Sequence, residues 1–354
     1  MLLAGGGSGG SATPVLAVAQ ALRLLEPSVA LMYVGTRDGP EASLAAAQNI
    51  PFAGVRSGKL RRYWDAQNLT DPFRLAAGIF ESLAIARRFK PRAAFAAGGF
   101  GAVPPMIAAR LAGAATFIHQ QDVAPGLANR LLVPFANHIS VSLPSSLAHF
   151  PGTRTKVTGN PLRAEILSAN SALAFEHFGL EPEVPLVVVT GGGTGALALN
   201  RLIVAAAPKL VETVQLVHLT GRGRGVPSQT ASERYRVIEF LVDEMPHLLA
   251  AATLVVSRAG MGTLTELAAL GKASLIVPMP GSHQWANAQA FARFGAIEVA
   301  DQAALTPDSL TARILSLIAD QPRREQLGNA LSQSMPRDAA KRIAEDLLAI
   351  VGRE

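Results

Sequence analysis

Short apolar runs alternate along the chain with longer stretches in which apolar residues recur at helical spacing. Residues 1–4 predict an apolar strand that runs into the glycines of residues 5–10. A helix should follow, with Thr13 as its N-cap and Pro14 as its first residue. Residues 186–190 repeat this order, with an apolar run, glycines and then a predicted helix. Recurrence after about 186 residues predicts two similar α/β halves.

Further apolar runs of strand length lie between the helical stretches, at residues 30–34, 93–96, 115–118, 214–219, 254–257 and 274–277. Such runs are typical of parallel sheets covered by helices on both faces, where ligands bind at the carboxyl ends of the strands. We expect one domain over residues 1–161 and a second over residues 162–336. A C-terminal helix within residues 337–354 should either stay with the second domain or cross back to the first.

Composition then excludes several classes of protein. Apolar residues make up 49% of the 354 residues and charged residues 16%, which excludes a disordered or fibrous chain. The absence of cysteine excludes disulfides and thiolate metal sites and favours the cytosol. No apolar run reaches the roughly 20 residues of a membrane-spanning helix, and we expect no signal peptide after Met1. Residues 1–160 hold 15 basic and 7 acidic side chains, so an anionic partner should meet this half.

The first glycine loop, residues 5–10, can hold a phosphate because glycines let the backbone approach an anion. The following helix adds N–H groups and the positive end of its dipole. The alternative is a tight turn with no ligand. The loop is not a P-loop, since no Gly-Lys-Ser/Thr follows it.

Two later segments carry candidate sugar-binding groups. A strand should end at Ser257 and a helix should begin near Gly262, with Thr263 and Glu266 at the spacing of a capping box. Alternatively, Glu266 in the first helical turn accepts hydrogen bonds from two neighbouring sugar hydroxyls, while the N–H groups of residues 261–265 meet a diphosphate.

Further along, Gln284 and Asn287 share a helix face, and neutral amides suit sugar hydroxyls. A polar helix start without ligands is the alternative. His283 has no partner cluster, so we predict no metal site.

Seven motifs occur in one order, at residues 6–10 with 14–19, 98–100 with Pro105, 119–122 with 126–129, 159–163, 191–196 with Asn200, 258–266 and 284–288. Over nearly the whole chain, this order and spacing resemble the peptidoglycan N-acetylglucosaminyltransferase (MurG) family. The resemblance implies a GT-B glycosyltransferase, with two Rossmann-like domains whose parallel sheets face a central cleft.

The implied reaction is inverting transfer of GlcNAc from UDP-GlcNAc to lipid I, an undecaprenyl-diphosphate-muramyl-pentapeptide. The implied product is lipid II, formed for peptidoglycan synthesis at the cytoplasmic face of the cell membrane without a metal or other cofactor. The amino-terminal domain would hold lipid I and the carboxyl-terminal domain UDP-GlcNAc.

The resemblance also implies which residues bind the substrates. The implied donor-binding positions are Arg163, Val242, Met261, Gly262, Thr263, Leu264, Thr265, Glu266 and Gln284, with Gly193 in the second glycine loop. Ser8, Gly9 and Gly10 lie in the loop that the family uses for diphosphate and sugar contacts.

Three departures from the family lie where the chemistry should be. The family's first loop ends Gly-Gly-His, whose histidine is a candidate general base, and here that position is Ser11. The family's His-Glu-Gln-Asn is His-Gln-Gln-Asp at residues 119–122, so Asp122 puts a carboxylate at a substrate-binding position where the family implies an amide near the donor sugar. The family's Gly-Gly-Ser-Gln-Gly has Gly193 and Thr194 at its third and fourth positions.

A serine without a partner base cannot take a proton at neutral pH as histidine does. Ser11 and Asp122 are therefore the candidate catalytic residues. The open alternatives are another carboxylate as base, a related UDP-sugar transferase with another lipid acceptor, and a catalytically impaired nucleotide-sugar-binding homologue.

Two stretches predict contact with an anionic membrane surface. Residues 59–64 combine Lys59, Arg61 and Arg62 with two aromatic residues. Residues 73–89 place phenylalanines and small apolar residues at helical spacing, ahead of a basic end. An ordinary core helix with a solvated basic end is the alternative for the second stretch. We expect a peripheral protein with no nucleic-acid partner, and its oligomeric state stays open.

Overall fold

A computed structural model describes residues 1–7, 9–58, 67–192, 195–227 and 232–352, the side chains of residues 67–70 excepted. The predictions for Ser8, for Gly193 and Thr194, and for the basic–aromatic stretch 59–64 lie outside the described residues. The chain forms two compact units. The first comprises Met1–Arg163 with Pro336–Glu354, and the second comprises Ala164–Met335.

The first unit is built on a seven-stranded, fully parallel sheet with the order β3-β2-β1-β4-β5-β6-β7. Its strands are β1 Leu2–Ala4, β2 Met32–Thr36, β3 Phe52–Val55, β4 Ala93–Ala96, β5 Ala115–Gln120, β6 His138–Val141 and β7 Thr155–Val157. Its helices are α1 Gly9–Leu25, α2 Glu41–Ala47, α3 Gln67–Phe89, α4 Val103–Leu111, α5 Leu127–Leu132 and the C-terminal helix Ala339–Gly352.

The second unit has a six-stranded parallel sheet with the order β10-β9-β8-β11-β12-β13. Its strands are β8 Leu186–Thr190, β9 Gln215–Leu219, β10 Tyr235–Ile238, β11 Leu254–Ser257, β12 Ser274–Ile276 and β13 Glu298–Val299. Its helices are α6 Ala164–Leu167, α7 Ser171–Phe178, α8 Leu197–Leu210, α9 Met245–Ala251, α10 Met261–Leu270, α11 Gln284–Ala292, α12 Pro307–Ala319 and α13 Gln321–Gln333.

The first sheet is buried on both faces because its side chains alternate. Leu2 of β1 joins one apolar cluster, which includes Met106 of α4. Leu3 joins the cluster on the other face, which includes Val15 of α1 and Leu347 of the C-terminal helix. Helices therefore cover both faces, and the predicted class of two parallel-sheet α/β domains is confirmed. Among the described helices, none has the length and apolar character needed to cross a bilayer.

The helix after the first glycine loop starts earlier than its sequence indicates. It begins at Gly9, so Pro14 lies inside α1 rather than at its first position. Thr13 is not the N-cap either, since its hydroxyl donates to the carbonyl oxygen of Gly9 one turn back (2.9 Å). The predicted start was wrong because the helix includes Gly9 and Gly10, residues whose low helix propensity argues against a helix there.

Candidate functional site

The strand order of the second unit reverses between β8 and β11. Loops leaving the carboxyl ends of these two strands run to opposite sides, which opens a crevice where ligands bind in such sheets. The second glycine loop follows β8, and residues 258–260 follow β11 and lead into α10. The predicted donor-binding segment thus starts at the switch point of its sheet.

The start of α10 offers backbone N–H groups and open space. The helix begins at Met261 after Gly260, and its first intrahelical bond runs from the Leu264 N–H to the Gly260 carbonyl (3.0 Å). The N–H groups of residues 261–263 precede that bond. A Cβ added to Gly260 or Gly262 would meet nothing within 4 Å. This helix start has the features of an anion site.

The predicted capping box at Thr263 and Glu266 was wrong. Among the described residues, no side chain caps α10, and Glu266 lies half-buried in the second turn rather than the first. Leu264 is buried in the core. Thr265 is buried too, with its hydroxyl donating to the Met261 carbonyl (2.7 Å). Of this segment, the half-buried Thr263 and Glu266 and the exposed backbone at Gly262 remain accessible.

The two amides of α11 have different surroundings. Asn287 is fully buried, and its NH₂ donates to the Ala259 carbonyl (3.0 Å), which ties α11 to the loop ahead of α10. Gln284 is half-buried, and its Oε1 accepts from the Met279 N–H (3.0 Å). Only Gln284 of the pair is placed for a ligand, because Asn287 holds the loop.

Arg258 fixes the neighbouring loop and was not among the predicted site residues. Its buried guanidinium donates to the carbonyl oxygens of Val277 (2.9 Å) and Pro278 (3.3 Å), just after β12. Burial lowers the pKa of this arginine. Arg258 therefore connects the carboxyl ends of β11 and β12, the two strands that carry the predicted donor residues.

A buried network connects α8, the helix after the second glycine loop, to β9 and to the segment that follows it. Asn200 donates to the carbonyl oxygens of Thr220 and Arg224 (2.9 Å each), and its Oδ1 lies 3.1 Å from Nε2 of His218. Because Oδ1 can only accept, Nε2 carries the proton, and Nδ1 accepts from the Tyr235 hydroxyl (3.0 Å). Burial lowers the pKa of His218 to about 4, so the ring is neutral at pH 7.

In the first unit, the strand order reverses between β1 and β4, and the loops after these strands are pressed together. Gly99 has φ +82°, and an added Cβ would lie 2.5 Å from the Gly6 carbonyl oxygen and 2.9 Å from the Ser11 Oγ. Ser11 is only 7% exposed, and its hydroxyl donates to the same Gly6 carbonyl (3.4 Å). Gly9 has open space above it, with nothing within 4 Å of an added Cβ.

A buried carboxylate accounts for the glycine at position 6, and no pattern in the sequence indicated it. Glu41, at the start of α2, is fully buried and accepts from the Thr36 N–H (2.7 Å) and the Thr36 hydroxyl. A Cβ on Gly6 would lie 2.3 Å from its Oε1. Burial, and secondarily the charge of Glu41, raise the pKa of Tyr33. Glycine at position 6 is thus required by Glu41, whether or not a phosphate binds above.

His119 on β5 is enclosed by hydrogen-bonding partners. Its Nε2 lies 3.1 Å from Oδ1 of Asn160 and its Nδ1 lies 2.8 Å from the Ser140 hydroxyl. Nε2 therefore donates, and Nδ1 accepts. Burial lowers the pKa of His119 to about 4, which outweighs the opposite effect of the Asn160 bond. This neutral, fully buried ring holds the segment after β7 and is not exposed to a substrate.

Asp122 lies in a loop that the preceding Gln120 shapes. The Gln120 NH₂ donates to the carbonyl oxygens of Asp122 (2.8 Å) and Ala124 (3.2 Å), while its Oε1 accepts from Asn129 (2.7 Å). A glutamate at position 120 could not donate these two bonds while ionised. The change from the family's Glu to Gln120 therefore fits the path of this loop, which leaves Asp122 half-buried.

Residues 1–141 match the glycosyltransferase family 28 N-terminal domain, and residues 186–343 match the C-terminal domain of the same family. The chain belongs to glycosyltransferase family 28. It is 33% identical over 347 residues to the UDP-N-acetylglucosamine--N-acetylmuramyl-(pentapeptide) pyrophosphoryl-undecaprenol N-acetylglucosamine transferase of Lachnoclostridium phytofermentans, covering 97% of this chain and 96% of that protein. It is 36% identical over 299 residues to the equivalently named protein of Clostridium tetani, covering 83% of each.

The structure of this family 28 member also resembles the crystal structure of MurG from Acinetobacter baumannii. The TM-score is 0.74 at 25% sequence identity, over 98% of both chains. The resemblance inferred from the seven motifs is therefore confirmed.

Apart from Arg163, the predicted site residues of this family 28 chain that the structure describes follow the carboxyl ends of strands. In the second unit, Val242 follows β10 and is 48% exposed, residues 261–266 follow β11, and Gln284 follows β12. In the first unit, Gly9 and Gly10 open α1 and Asp122 follows β5. Arg163 is the last residue of the first unit's opening segment and is half-buried.

Proposed function

We propose that this protein is an inverting hexosyltransferase that moves GlcNAc from UDP-GlcNAc to lipid I and so forms lipid II in peptidoglycan synthesis. The observation that carries the proposal is the 33% identity over 97% of the chain to a transferase of that name. The open helix start at the switch point of the second unit supports it, because a departing UDP needs its diphosphate charge stabilised.

On the donor side, we assign the diphosphate to the N–H groups of residues 261–263. Glu266 would accept hydrogen bonds from neighbouring sugar hydroxyls, and Gln284 would bind the sugar. We also propose that Val242 and Arg163 contact the donor, as the family resemblance implies. The electron pair of the broken sugar–phosphate bond goes to the UDP oxygen, where the α10 dipole stabilises it.

On the acceptor side, we assign the diphosphate of lipid I to the loop that includes Gly9 and Gly10. The acceptor hydroxyl oxygen attacks the anomeric carbon and must lose its proton to a base. Asp122 is our choice, because Ser11 is packed beneath Gly99 with its hydroxyl donating to Gly6. His119 is buried with both ring nitrogens occupied.

The function is tested by turnover of UDP-GlcNAc with a lipid I analogue and identification of lipid II as the product. Binding of UDP without turnover would instead favour an impaired homologue, which the changes at Ser11 and Asp122 make a specific rival. Turnover only with a different polyprenyl acceptor would favour a related UDP-sugar transferase.

The base is tested by Asp122→Asn, which restores the family's amide. We expect kcat to fall by about 10²–10⁴-fold, with UDP affinity unchanged. Equal rates for variant and parent at every pH would exclude Asp122 as the base. The reciprocal variant Ser11→His is a poor test, because Ser11 is 7% exposed and packed against Gly99.

We also propose that the protein is peripheral at the cytoplasmic face of the membrane. On α3, Phe73 is 77% exposed and Phe80 is 72% exposed, which favours a surface role over the core-helix alternative for this face. They are seven residues apart and so lie on one face, followed by the basic residues Arg87, Arg88, Lys90 and Arg92. Aromatic rings beside basic side chains suit an anionic lipid surface.

Sedimentation with anionic vesicles tests the membrane proposal. Changing both Phe73 and Phe80 to Ser should release the protein from the vesicles, and so should changing Lys59, Arg61 and Arg62 to Ser. Leu24→Ser is the matched control, since Leu24 is a similarly exposed apolar residue (81%) that belongs to α1 rather than to α3. Binding by the parent should weaken with salt. Equal sedimentation of the parent and both variants at low salt would contradict the proposal.

A further inference from the structure

A single side chain connects three loops at the carboxyl edge of the first sheet. Gln121 directly follows β5, and its NH₂ donates to the carbonyl oxygens of Ala97 (2.9 Å) and Gly10 (3.1 Å). Ala97 directly follows β4, and Gly10 lies in the first turn of α1, after β1. Because both partners are carbonyls, the NH₂ group and not the oxygen of Gln121 must face them.

Pro14 explains why the Gly10 carbonyl is available to Gln121. In an α-helix, the carbonyl of residue 10 accepts from the N–H of residue 14. Pro14 lies inside α1 and has no N–H, so the helix itself supplies no donor at this position. The Gln121 amide takes the place of that donor and at the same time joins α1 to the loop after β5.

Two of the three connected loops carry the groups to which the proposed function assigns the acceptor chemistry, and the third packs against Ser11 of α1. Gly9 and Gly10 begin the helix to which we assign the lipid-linked diphosphate, and Ala97 lies two residues before Gly99, which packs on Ser11. Asp122, the proposed base, is the next residue after Gln121, and Gln120 anchors its carbonyl from the other side. A shift of Gln121 would therefore move the base relative to the acceptor loop.

We propose that Gln121 is a positioning residue that sets the placement of Asp122 relative to the acceptor loop at Gly9 and Gly10. This inference rests on the proposed transfer to lipid I. It assigns Gln121 no contact with a substrate and predicts that its loss affects acceptor chemistry without affecting donor binding.

The first test is Gln121→Leu, which removes the NH₂ group at similar size. We expect kcat/KM for a lipid I analogue to fall about 10- to 100-fold, because small misplacements of a reacting group cost rates of that order. The Kd for UDP should change less than twofold. Gln121→Glu should lose at least as much activity, because its carboxylate would face two carbonyl oxygens. Gln333→Leu, at an exposed position of α13, is the matched control and should change neither quantity.

Pro14→Ala in the Gln121→Leu background separates positioning from stability. The new alanine N–H can bond the Gly10 carbonyl within α1, so the Tm should recover. The loops stay unconnected, so kcat/KM for the acceptor should stay low. Recovery of kcat/KM together with Tm would reduce Gln121 to a structural role and overturn the proposal, as would full acceptor activity of Gln121→Leu.

Hydrogen exchange tests the role of Gln121 independently of whether the proposed transfer reaction occurs. If the parent protein fails to turn over any lipid I analogue, the proposed function fails. Comparison of hydrogen-exchange rates in the parent and in Gln121→Leu would still test whether Gln121 holds these loops together. We expect faster exchange in residues 97–101 and 121–126 of the variant, and unchanged exchange in both segments would overturn it.

Discussion

At the scale of single residues, Glu266 can be tested without the complication of a helix cap. It lies half-buried in the second turn of α10, whose start is capped by no side chain. We therefore expect Glu266→Ala to change the free energy of unfolding by less than about 1 kcal/mol. The UDP-GlcNAc Kd should rise about tenfold to over a hundredfold, the equivalent of roughly 1.5–3 kcal/mol.

Titration with UDP-GlcNAc and a thermal melt together check this expectation. Glu266→Gln is the matched control, because it keeps the size of the side chain and one acceptor oxygen. A Kd unchanged in Glu266→Ala would remove this carboxylate from the donor site.

The buried histidines make stability depend on pH. The pKa of His218 is about 4 in the folded protein against about 6.5 in an unfolded chain. Between these values the unfolded state binds more protons, so stability falls as pH drops through this window. Going from pH 7 to pH 5 should cost about 2 kcal/mol for this group, and His119 adds a similar effect.

Urea unfolding at pH 7, 6 and 5 measures this dependence. His218→Gln can still donate to Asn200 and accept from Tyr235 but does not titrate, so its unfolding free energy should vary less with pH than the parent's. Carboxylates contribute equally to both proteins, so identical slopes would contradict the folded-state pKa of His218.

At the scale of elements, strands in the centres of the sheets were predictable, whereas the start of α1 and the capping of α10 were not. The runs at 93–96, 186–190 and 254–257 coincide with β4, β8 and β11, because strands buried on both faces need unbroken apolar sequence. The short outer strands β3, β7, β10 and β13 lacked that signal. The start of α1 and the capping of α10 were misjudged, because α1 begins within its glycines and α10 has a glycine N-cap in place of a side-chain cap.

The open start of α10 leads to a prediction about Gly262. A Cβ there meets nothing within 4 Å, and alanine favours a helix over glycine by up to about 1 kcal/mol, so Gly262→Ala should keep or raise Tm. The same methyl group would occupy the proposed diphosphate space and should weaken UDP binding. Gly6→Ala is the contrasting variant. The alanine Cβ of this variant would lie 2.3 Å from Glu41 Oε1, so the free energy of unfolding should fall by about 1–3 kcal/mol.

Thermal melts of both variants test the two stability predictions, and UDP titration tests the predicted loss of affinity in Gly262→Ala. Unchanged UDP affinity in Gly262→Ala would mean that no ligand approaches this helix start.

At the scale of the whole molecule, the repeated strand–glycine–helix order correctly indicated two parallel α/β domains. What the sequence could not show were pairs that meet only in the fold. Gln121 and Gly10 are 111 residues apart, and no local pattern marks their hydrogen bond. Glu41 beneath Gly6 is another such case. The motifs located the site segments, but the groups that hold them in place became visible only in the structure.

We expect the first unit, but not the second, to need the C-terminal helix for its stability. Ile343 and Leu347 are buried in the same cluster as Val15 of α1, and each contributes about 1.5–3 kcal/mol by burial. Ending the chain at Met335 should therefore expose the first unit to proteolysis. UDP binding by the second unit, Ala164–Met335, should persist. Loss of UDP affinity in the truncated chain, with the second unit still protease-resistant, would contradict this division of roles.

Because the C-terminal helix packs on α1, the first unit cannot finish folding until the end of the chain has been synthesised. The first unit is therefore begun before the second unit but completed after it. The apolar face of α1 leaves the ribosome early, but its covering residues follow only after the whole of Ala164–Met335. About 310 residues separate the end of α1 at Leu25 from the start of the C-terminal helix at Ala339, which at about 5–20 residues per second is a delay of roughly 15–60 s. The second unit can fold during that interval. The first unit, although made first, remains open to chaperones and to aggregation until the last helix emerges.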